Sequence, residues 1–269
     1  DVLDLTDALS FTYPKKVYKA EYADCKDAEV VVITAGIPQK PGETRLQLVD
    51  KNLVIFKDMI GKVVASGFDG IFVVASNPVD VTTYATMKYS GFPANKVIGS
   101  GTTLDTSRFK KQIGDLLDVD YRSVHAYIMG EHGDTEFPVW SNANVGGLSI
   151  EEWKSTHPNI SQESLDAAFD KTVNAAYEII NKKGATFYGI GTALSSIVRA
   201  ILNDENTVFL TSSYLNGEFG LKDIHIGVPT VIGKSGVAHI IEVPLSDKEQ
   251  EQLEHSARTL REIIDNSNL

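Results

Sequence analysis

The chain has 269 residues, of which 36 are acidic and 25 basic, and its net charge is −11. Its composition, 42% hydrophobic and 23% charged, is ordinary for a globular protein. No apolar run approaches the roughly 20 residues of a membrane span, and basic residues cluster only in pairs, too few for a phosphate-binding surface. The single cysteine, Cys25, excludes an intrachain disulfide and suits a reducing compartment. We therefore expect a cytoplasmic protein without a membrane or nucleic-acid partner.

Short β-branched runs alternate with helical patterns in the first half of the chain. Four runs, each followed by glycine or polar residues, are predicted to be buried strands: 30–33, 71–74, 97–98 and 124–129. Apolar residues recur every three or four positions over 46–63 and over 104–116, which predicts two amphipathic helices. This alternation is typical of an α/β fold with a parallel sheet, whose ligands lie at the carboxyl ends of the strands.

The second half of the chain has a different pattern. Two helices are predicted over 162–183 and 185–202, separated by Gly184. Three β-rich segments follow, at 208–214, 224–232 and 237–243, with glycine-containing turns between them. A capping box from Ser246 to Glu249 opens a final helix. We therefore expect a parallel α/β half followed by an α+β half, with the lobe boundary between about 99 and 160.

Several polar residues lie where this fold would place a site. The loop 36–45 is either a plain connection or a lid that carries Arg45 towards a ligand. Asp105 and Arg108 share a helix face, as a surface ion pair or as part of a site. His132 lies in a turn after a strand and suits general acid–base chemistry. Its acidic neighbours lack the spacing of metal ligands, so no metal site is predicted.

In chain order, five motifs resemble those of the lactate/malate dehydrogenase family. They are Thr34-Ala35-Gly36, the run from Gln39 to Leu46, Ser76-Asn77-Pro78-Val79-Asp80, the run from Leu104 to Phe109, and Gly130-Glu131-His132-Gly133-Asp134. The resemblance covers the whole chain and is strongest to bacterial lactate dehydrogenases of the lactobacillus type. It implies a Rossmann-type parallel sheet, residues 1–99 as the remainder of a dinucleotide-binding domain, and residues 100–269 as the catalytic, substrate-binding domain.

The resemblance also implies an NAD cofactor and a role for each motif residue. His132 would be the proton donor and acceptor, and Asp105 would orient its ring. Arg108 would bind the substrate carboxylate through two parallel hydrogen bonds, and Arg45 would polarise the carbonyl after the loop closes. Asn77 would contact both nicotinamide and substrate. Six further residues fall at cofactor-contact positions of the family: Tyr22, Gly36, Ile37, Ala75, Ser76 and Ser100.

Two residues are expected to select the substrate. Gln39 stands where malate dehydrogenases of the family have an arginine that pairs with the second carboxylate, and Thr186 stands at the other position that senses the side chain. An uncharged Gln39 would leave a dicarboxylate end unpaired at a cost of several kcal/mol. Pyruvate and L-lactate are therefore the expected substrates. Alternatives are a malate or other 2-hydroxyacid dehydrogenase, and a polypeptide without catalytic activity.

The resemblance raises a regulatory question as well. Some bacterial relatives bind fructose 1,6-bisphosphate between subunits of a homotetramer through an arginine and a histidine. This chain has Lys110 and His125 at those positions. A lysine binds phosphate as a point charge without the arginine fork, so activation is expected to be weakened or lost.

A glycine-rich dinucleotide fingerprint is missing from the sequence. The nearest match, Gly99-Ser100-Gly101, lacks the third glycine and is interpreted as a strand-to-helix turn, with a pyrophosphate cradle as the alternative. The fingerprint unit is therefore expected to precede Asp1. On this view the chain is truncated at its amino terminus, lacks the first strands of its sheet, and is inactive as a 269-residue piece.

Overall fold

The computed structural model describes residues 1–12, 15–37, 45–158 and 160–269, and for 45–47 the backbone only. The helices of these parts are α1 Val2–Asp7, α2 Arg45–Ala65, α3 Val79–Ser90, α4 Thr103–Leu117, α5 Ile150–Thr156, α6 Gln162–Lys183, α7 Tyr188–Leu202 and α8 Asp247–Asp265. The strands are β1 Val30–Ile33, β2 Ile71–Val74, β3 Val97–Gly99, β4 Val124–His125, β5 Ile128–Met129, β6 Phe137–Pro138, β7 Asn144–Val145, β8 Leu148–Ser149, β9 Thr207–Asn216, β10 Lys222–Gly233 and β11 Gly236–Ile240. None of the helices described is long and apolar enough to cross a membrane.

One six-stranded sheet runs through both halves of the chain, in the order β1-β2-β3-β9-β10-β11. The first three strands are parallel, and the last three are antiparallel to their neighbours. The two halves meet where Gly99 of β3 pairs with Ser212 of β9. The α/β and α+β patterns of the sequence are therefore two parts of one continuous sheet.

The amphipathic stripe of α2 covers one face of the parallel strands. Phe56 and Ile60 are fully buried there, and Val63 is 2% exposed. Val49 and Leu53, also at most 2% exposed, pack instead in a core cluster with residues of α3 and α8. Burying a side chain of this size stabilises the fold by about 1.5–3 kcal/mol. This packing fixes α2 against the sheet.

The prediction of a single strand over 124–129 is wrong. The segment forms two short strands in different sheets, with β4 paired to β7 and β5 paired to β6. The alternation of buried and exposed side chains continues through Ala126 and Tyr127, so periodicity alone could not reveal that the backbone changes partner. The helix predicted from residue 185 begins later, at Tyr188.

Candidate active site

The segments that follow β1, β2 and β3 are joined at the carboxyl edge of the sheet. Ala75 N donates to Ile33 O at 2.9 Å, and Ser100 N donates to Val74 O at 2.7 Å. The Ser76 hydroxyl donates to the carbonyl oxygen of Ala35. These hydrogen bonds continue the strand pairing and hold three loops at one edge.

Asn52 of α2 connects two of those loops through hydrogen bonds of its side chain. Its side chain is fully buried, accepts from Ile37 N at 2.9 Å and donates to Asn77 O at 3.3 Å. Gly36, Ile37 and Asn77 are exposed at this edge. Asn52 was not predicted from the sequence, because its role depends on contacts between distant segments.

These residues fit a dinucleotide cofactor. The bare backbone of Gly36 admits a ligand closely, Ile37 offers an apolar surface, and the Asn77 amide carries both a donor and an acceptor for a carboxamide. Six of the seven predicted cofactor residues lie at this edge: Gly36, Ile37, Ala75, Ser76, Asn77 and Ser100. A pyrophosphate cradle at Gly101 does not fit, since a Cβ there would lie 2.3 Å from Ser212 N. That glycine packs against β9.

Tyr22 is not brought together with the other cofactor candidates. It lies on a short 3-10 helix, Tyr22–Asp27, that precedes β1. Its ring lies 5.6 Å from the ammonium of Lys62, in the last turn of α2, the turn that leads back to the start of β2. Tyr22 is therefore placed towards the amino end of the strands.

The loop that carries His132 begins where β5 ends. Gly130 has φ +100°, and a Cβ at this position would lie 2.9 Å from Ser256 Oγ. Gly130 exchanges two backbone hydrogen bonds with Gly227 of β10, at 3.0 and 2.9 Å, and Glu131 N donates to Ser256 Oγ at 2.6 Å. The sharp turn therefore depends on glycine and is anchored to both β10 and α8.

Asp80 in the first turn of α3 positions the same loop. Its Oδ2 accepts from His132 N at 2.9 Å, and its Oδ1 accepts from Ser212 Oγ at 2.5 Å. The sequence motif contained Asp80, but only Ser76 and Asn77 of that motif were assigned roles. Asp80 places His132 next to the edge that carries Asn77.

Asp105 of α4 joins the imidazole and the guanidinium. Its Oδ2 lies 2.6 Å from His132 Nδ1, and its Oδ1 accepts from Arg108 Nη1 at 2.9 Å. The Asp105 side chain is 4% exposed, that of Arg108 13% and that of His132 26%. Part of the ring and part of the guanidinium thus remain accessible for a ligand.

This arrangement changes how the two groups titrate. Burial favours neutral His132, but the charge and hydrogen bond of Asp105 outweigh burial and raise the pKa of the ring to about 9. Burial also opposes ionisation of Asp105, yet His132 and Arg108 lower the pKa of its carboxyl below the usual value. The pair therefore exists as carboxylate and imidazolium at neutral pH.

Glu136 is a third ionisable group at the site, and it was not predicted from the sequence. The side chains of Asp105, His132 and Glu136 bring two carboxylate oxygens and a ring nitrogen within 4.8 Å of one another. Burial first, and then the charge of Asp105, raise the pKa of Glu136 to about 8. Its position four residues after His132 was the only available signal.

The remaining predicted residues are placed less directly. Thr186 is half-buried just before α7, whose Gly189 packs against Leu104, the neighbour of Asp105. Arg45 is the first residue of α2, but its side chain lies outside the described residues, as does all of Gln39. Lys110 and His125 line one cavity of about 430 Å³, with His125 exposed and Lys110 half-buried.

Comparison with known proteins gives the family. Residues 1–99 match the model of the lactate/malate dehydrogenase NAD binding domain, and residues 102–268 match that of the lactate/malate dehydrogenase alpha/beta C-terminal domain. The chain belongs to the lactate/malate dehydrogenase family. The predicted Rossmann-type sheet followed by an α+β domain, and the predicted NAD cofactor, are thereby confirmed.

Individual members of the family are similar over almost the whole chain. An L-lactate dehydrogenase of Latilactobacillus sakei is 61% identical over 98% of this chain and 81% of its own length, and one of Lacticaseibacillus casei is 60% identical over the same shares. A crystal structure of the minor L-lactate dehydrogenase of Enterococcus mundtii, in a ligand-bound form, has a TM-score of 0.95 at 48% identity and covers 98% of this chain and 84% of that one.

Proposed function

We propose that this protein is an NAD-dependent L-lactate dehydrogenase that interconverts pyruvate and L-lactate. The observation that carries the proposal is a single carboxylate, Asp105, holding both an imidazolium, His132, and a guanidinium, Arg108. L-Lactate dehydrogenases with about 60% identity over nearly the whole chain support it. We assign residues 1–99 to the cofactor and 100–269 to the substrate.

Each group of the cluster has a task in pyruvate reduction. Bound NADH supplies the hydride that the carbonyl carbon accepts. His132, kept protonated by Asp105, donates a proton to the carbonyl oxygen, and in lactate oxidation it takes the proton back. Arg108 gives one N–H group to Asp105 and has others for the substrate carboxylate, since a guanidinium carries five. Arg45, delivered by the 36–45 loop, polarises the carbonyl and helps to exclude water.

Asn77, Gly36 and Ile37 hold the nicotinamide end of the cofactor in this proposal. The exposed amide of Asn77 lies three residues after the end of β2, and Asp80 of the same motif accepts a hydrogen bond from His132 N. Asn77, which binds the carboxamide, and His132, which moves the proton, are thus both positioned at the amino-terminal end of α3.

Substrate selection is assigned to Gln39 and Thr186. Gln39 is neutral, so the methyl group of pyruvate can lie beside it without leaving any charge unpaired. The second carboxylate of oxaloacetate, in contrast, has no cation to pair with. In the full-length protein, NADH oxidation is expected to be faster with pyruvate than with oxaloacetate by more than about a hundredfold in kcat/KM. Gln39→Arg is expected to shift this ratio towards oxaloacetate. Preference for oxaloacetate in the unaltered protein would overturn the proposed function, and an unchanged ratio in the variant would remove Gln39 as the selecting residue.

We further propose a cytoplasmic homotetramer that forms lactate from glycolytic pyruvate and has a weak site for fructose 1,6-bisphosphate. The cavity shared by Lys110 and His125 supports the effector site, and a lysine binds phosphate as a point charge without the arginine fork, which makes the site weak. Titration of the sugar bisphosphate against activity tests this. Strong activation at micromolar concentrations would contradict a weakened site.

A further inference from the structure

Glu136 is an ionisable side chain at the site to which the proposed mechanism gives no role. It is half-buried and belongs to the same loop as His132. One of its carboxylate oxygens, a carboxylate oxygen of Asp105 and a ring nitrogen of His132 all lie within 4.8 Å of one another. A charge change on Glu136 is therefore felt directly by both groups that handle the proton.

Charged groups of α3, of α4 and of the loop itself, which also carries Glu131 and Asp134, lie in this described part of the chain. Asp105 and Arg108 come from α4, His132 from the loop itself, and Asp80 from α3, where it holds His132 N. Two carboxylates this close and away from bulk water do not both ionise readily. Asp105 has two cationic partners, so it keeps its charge, and Glu136 is the one that holds a proton.

We propose that Glu136 is a positioning residue that shares a proton with the Asp105–His132 pair and thereby sets how readily His132 gains and loses the proton it exchanges with substrate. The proposal rests on the proposed dehydrogenase function, because the exchanged proton is the one that accompanies hydride transfer. No bond other than O–H and N–H is made or broken, and the proton comes from water.

The direction of the effect follows from charge. Below about pH 8 Glu136 is protonated, and Asp105 is then the charged carboxylate beside the His132 ring. Above about pH 8 the ionised Glu136 carboxylate adds a second negative charge beside the ring. That charge is one of the causes that raise the pKa of His132. Ionised Glu136 thus keeps the ring protonated up to a higher pH. Pyruvate reduction, which needs the protonated ring, therefore continues to a higher pH, and lactate oxidation, which needs the neutral ring, begins at a higher pH.

The test is the pH dependence of kcat/KM in both directions for the full-length protein and Glu136→Gln. The amide keeps the shape of a protonated carboxyl but never ionises. In the variant, the pH at which pyruvate reduction declines is expected to be about one unit lower. The pH at which lactate oxidation begins is expected to be lower by the same amount, because an opposite charge at this distance shifts a pKa by about that much. At neutral pH the variant should reduce pyruvate within about threefold of the unaltered protein.

Two further variants separate proton sharing from a structural role. Glu136→Asp keeps an ionisable group and is expected to restore part of the shift. Glu163→Gln removes an exposed acid in the first turn of α6 and is expected to leave both limbs in place. A carbon-13 NMR titration of the His132 ring in each variant measures the same shift without turnover.

The outcomes are distinct. A lower His132 titration midpoint in Glu136→Gln, with both limbs moved together, supports the proposal. An unmoved midpoint, or an equal loss of rate at every pH, overturns it and leaves Glu136 as a packing residue. If the unaltered protein does not reduce pyruvate, the proposed function fails, and the NMR titration alone decides whether Glu136 shares the proton.

Discussion

Asp105 determines the chemistry of the cluster because it contacts two cations with separate oxygens. The contact to His132 orients the ring, and the contact to Arg108 fixes a guanidinium beside it. Motif spacing in the sequence was enough to single out these three residues. Asp80 and Asn52 were not predicted, because each acts on a segment that only the tertiary fold brings near. Glu136 was not predicted, because the fold is what brings its side chain close to Asp105.

The geometry of Arg108 makes a lysine a poor replacement. Arg108→Lys keeps the positive charge but loses the planar fork that contacts Asp105 and a carboxylate together. We expect kcat/KM for pyruvate to fall roughly 30- to 150-fold, which corresponds to a loss of about 2–3 kcal/mol of transition-state stabilisation. Steady-state kinetics checks this, with Arg199→Lys, at an exposed ion pair, as the control. Equal losses in the two variants would show that Arg108 is an ordinary ion-pair partner.

Among the elements, the turn from β3 into α4 is the one that most constrains the site. Gly101 has φ +51°, and its Cα packs against the backbone of β9, so that α4 starts with Asp105 in its first turn. The sequence correctly indicated a strand-to-helix turn here. It could not indicate that β9, more than 100 residues later, pairs with β3, because nothing local encodes that contact.

A pair of glycine substitutions tests this packing. Gly101→Ala places a Cβ 2.3 Å from Ser212 N, whereas Gly91, also with positive φ, has open space around its Cα. Both variants carry a backbone cost of about 1 kcal/mol. Gly101→Ala is expected to lose at least about 2 kcal/mol more in free energy of unfolding, from overpacking. Urea denaturation measures the difference, and similar losses would mean that the turn is not packed as described.

At the scale of the whole molecule, the shared sheet buries a histidine on β10. His225 is fully buried between the rings of Tyr84 and Tyr214, near Asp223 and Lys88. Burial lowers the pKa of its ring to about 3. The unfolded chain binds a proton near pH 6.5, so the folded state keeps the full contribution of this residue above pH 6.5 and loses it as the pH falls towards 3.

Removal of this ring should therefore change the pH dependence of stability. Between pH 7 and pH 5 the His225→Leu variant is expected to lose about 2 kcal/mol less free energy of unfolding than the unaltered protein. Denaturant titrations at the two pH values measure this, and His239→Gln, at an exposed position, is expected to behave like the unaltered protein. An identical pH dependence in His225→Leu would show that the ring is not held neutral.

His132, charged through Asp105, is proposed to move the proton that accompanies hydride transfer. A single-turnover measurement of NADH oxidation by pyruvate in the full-length protein and His132→Gln, with NADH binding followed by fluorescence, tests this role. We predict a rate lower by about a hundredfold to ten-thousandfold with NADH affinity retained, since proton transfer contributes that much. A variant that oxidises NADH within threefold of the unaltered rate would contradict the account.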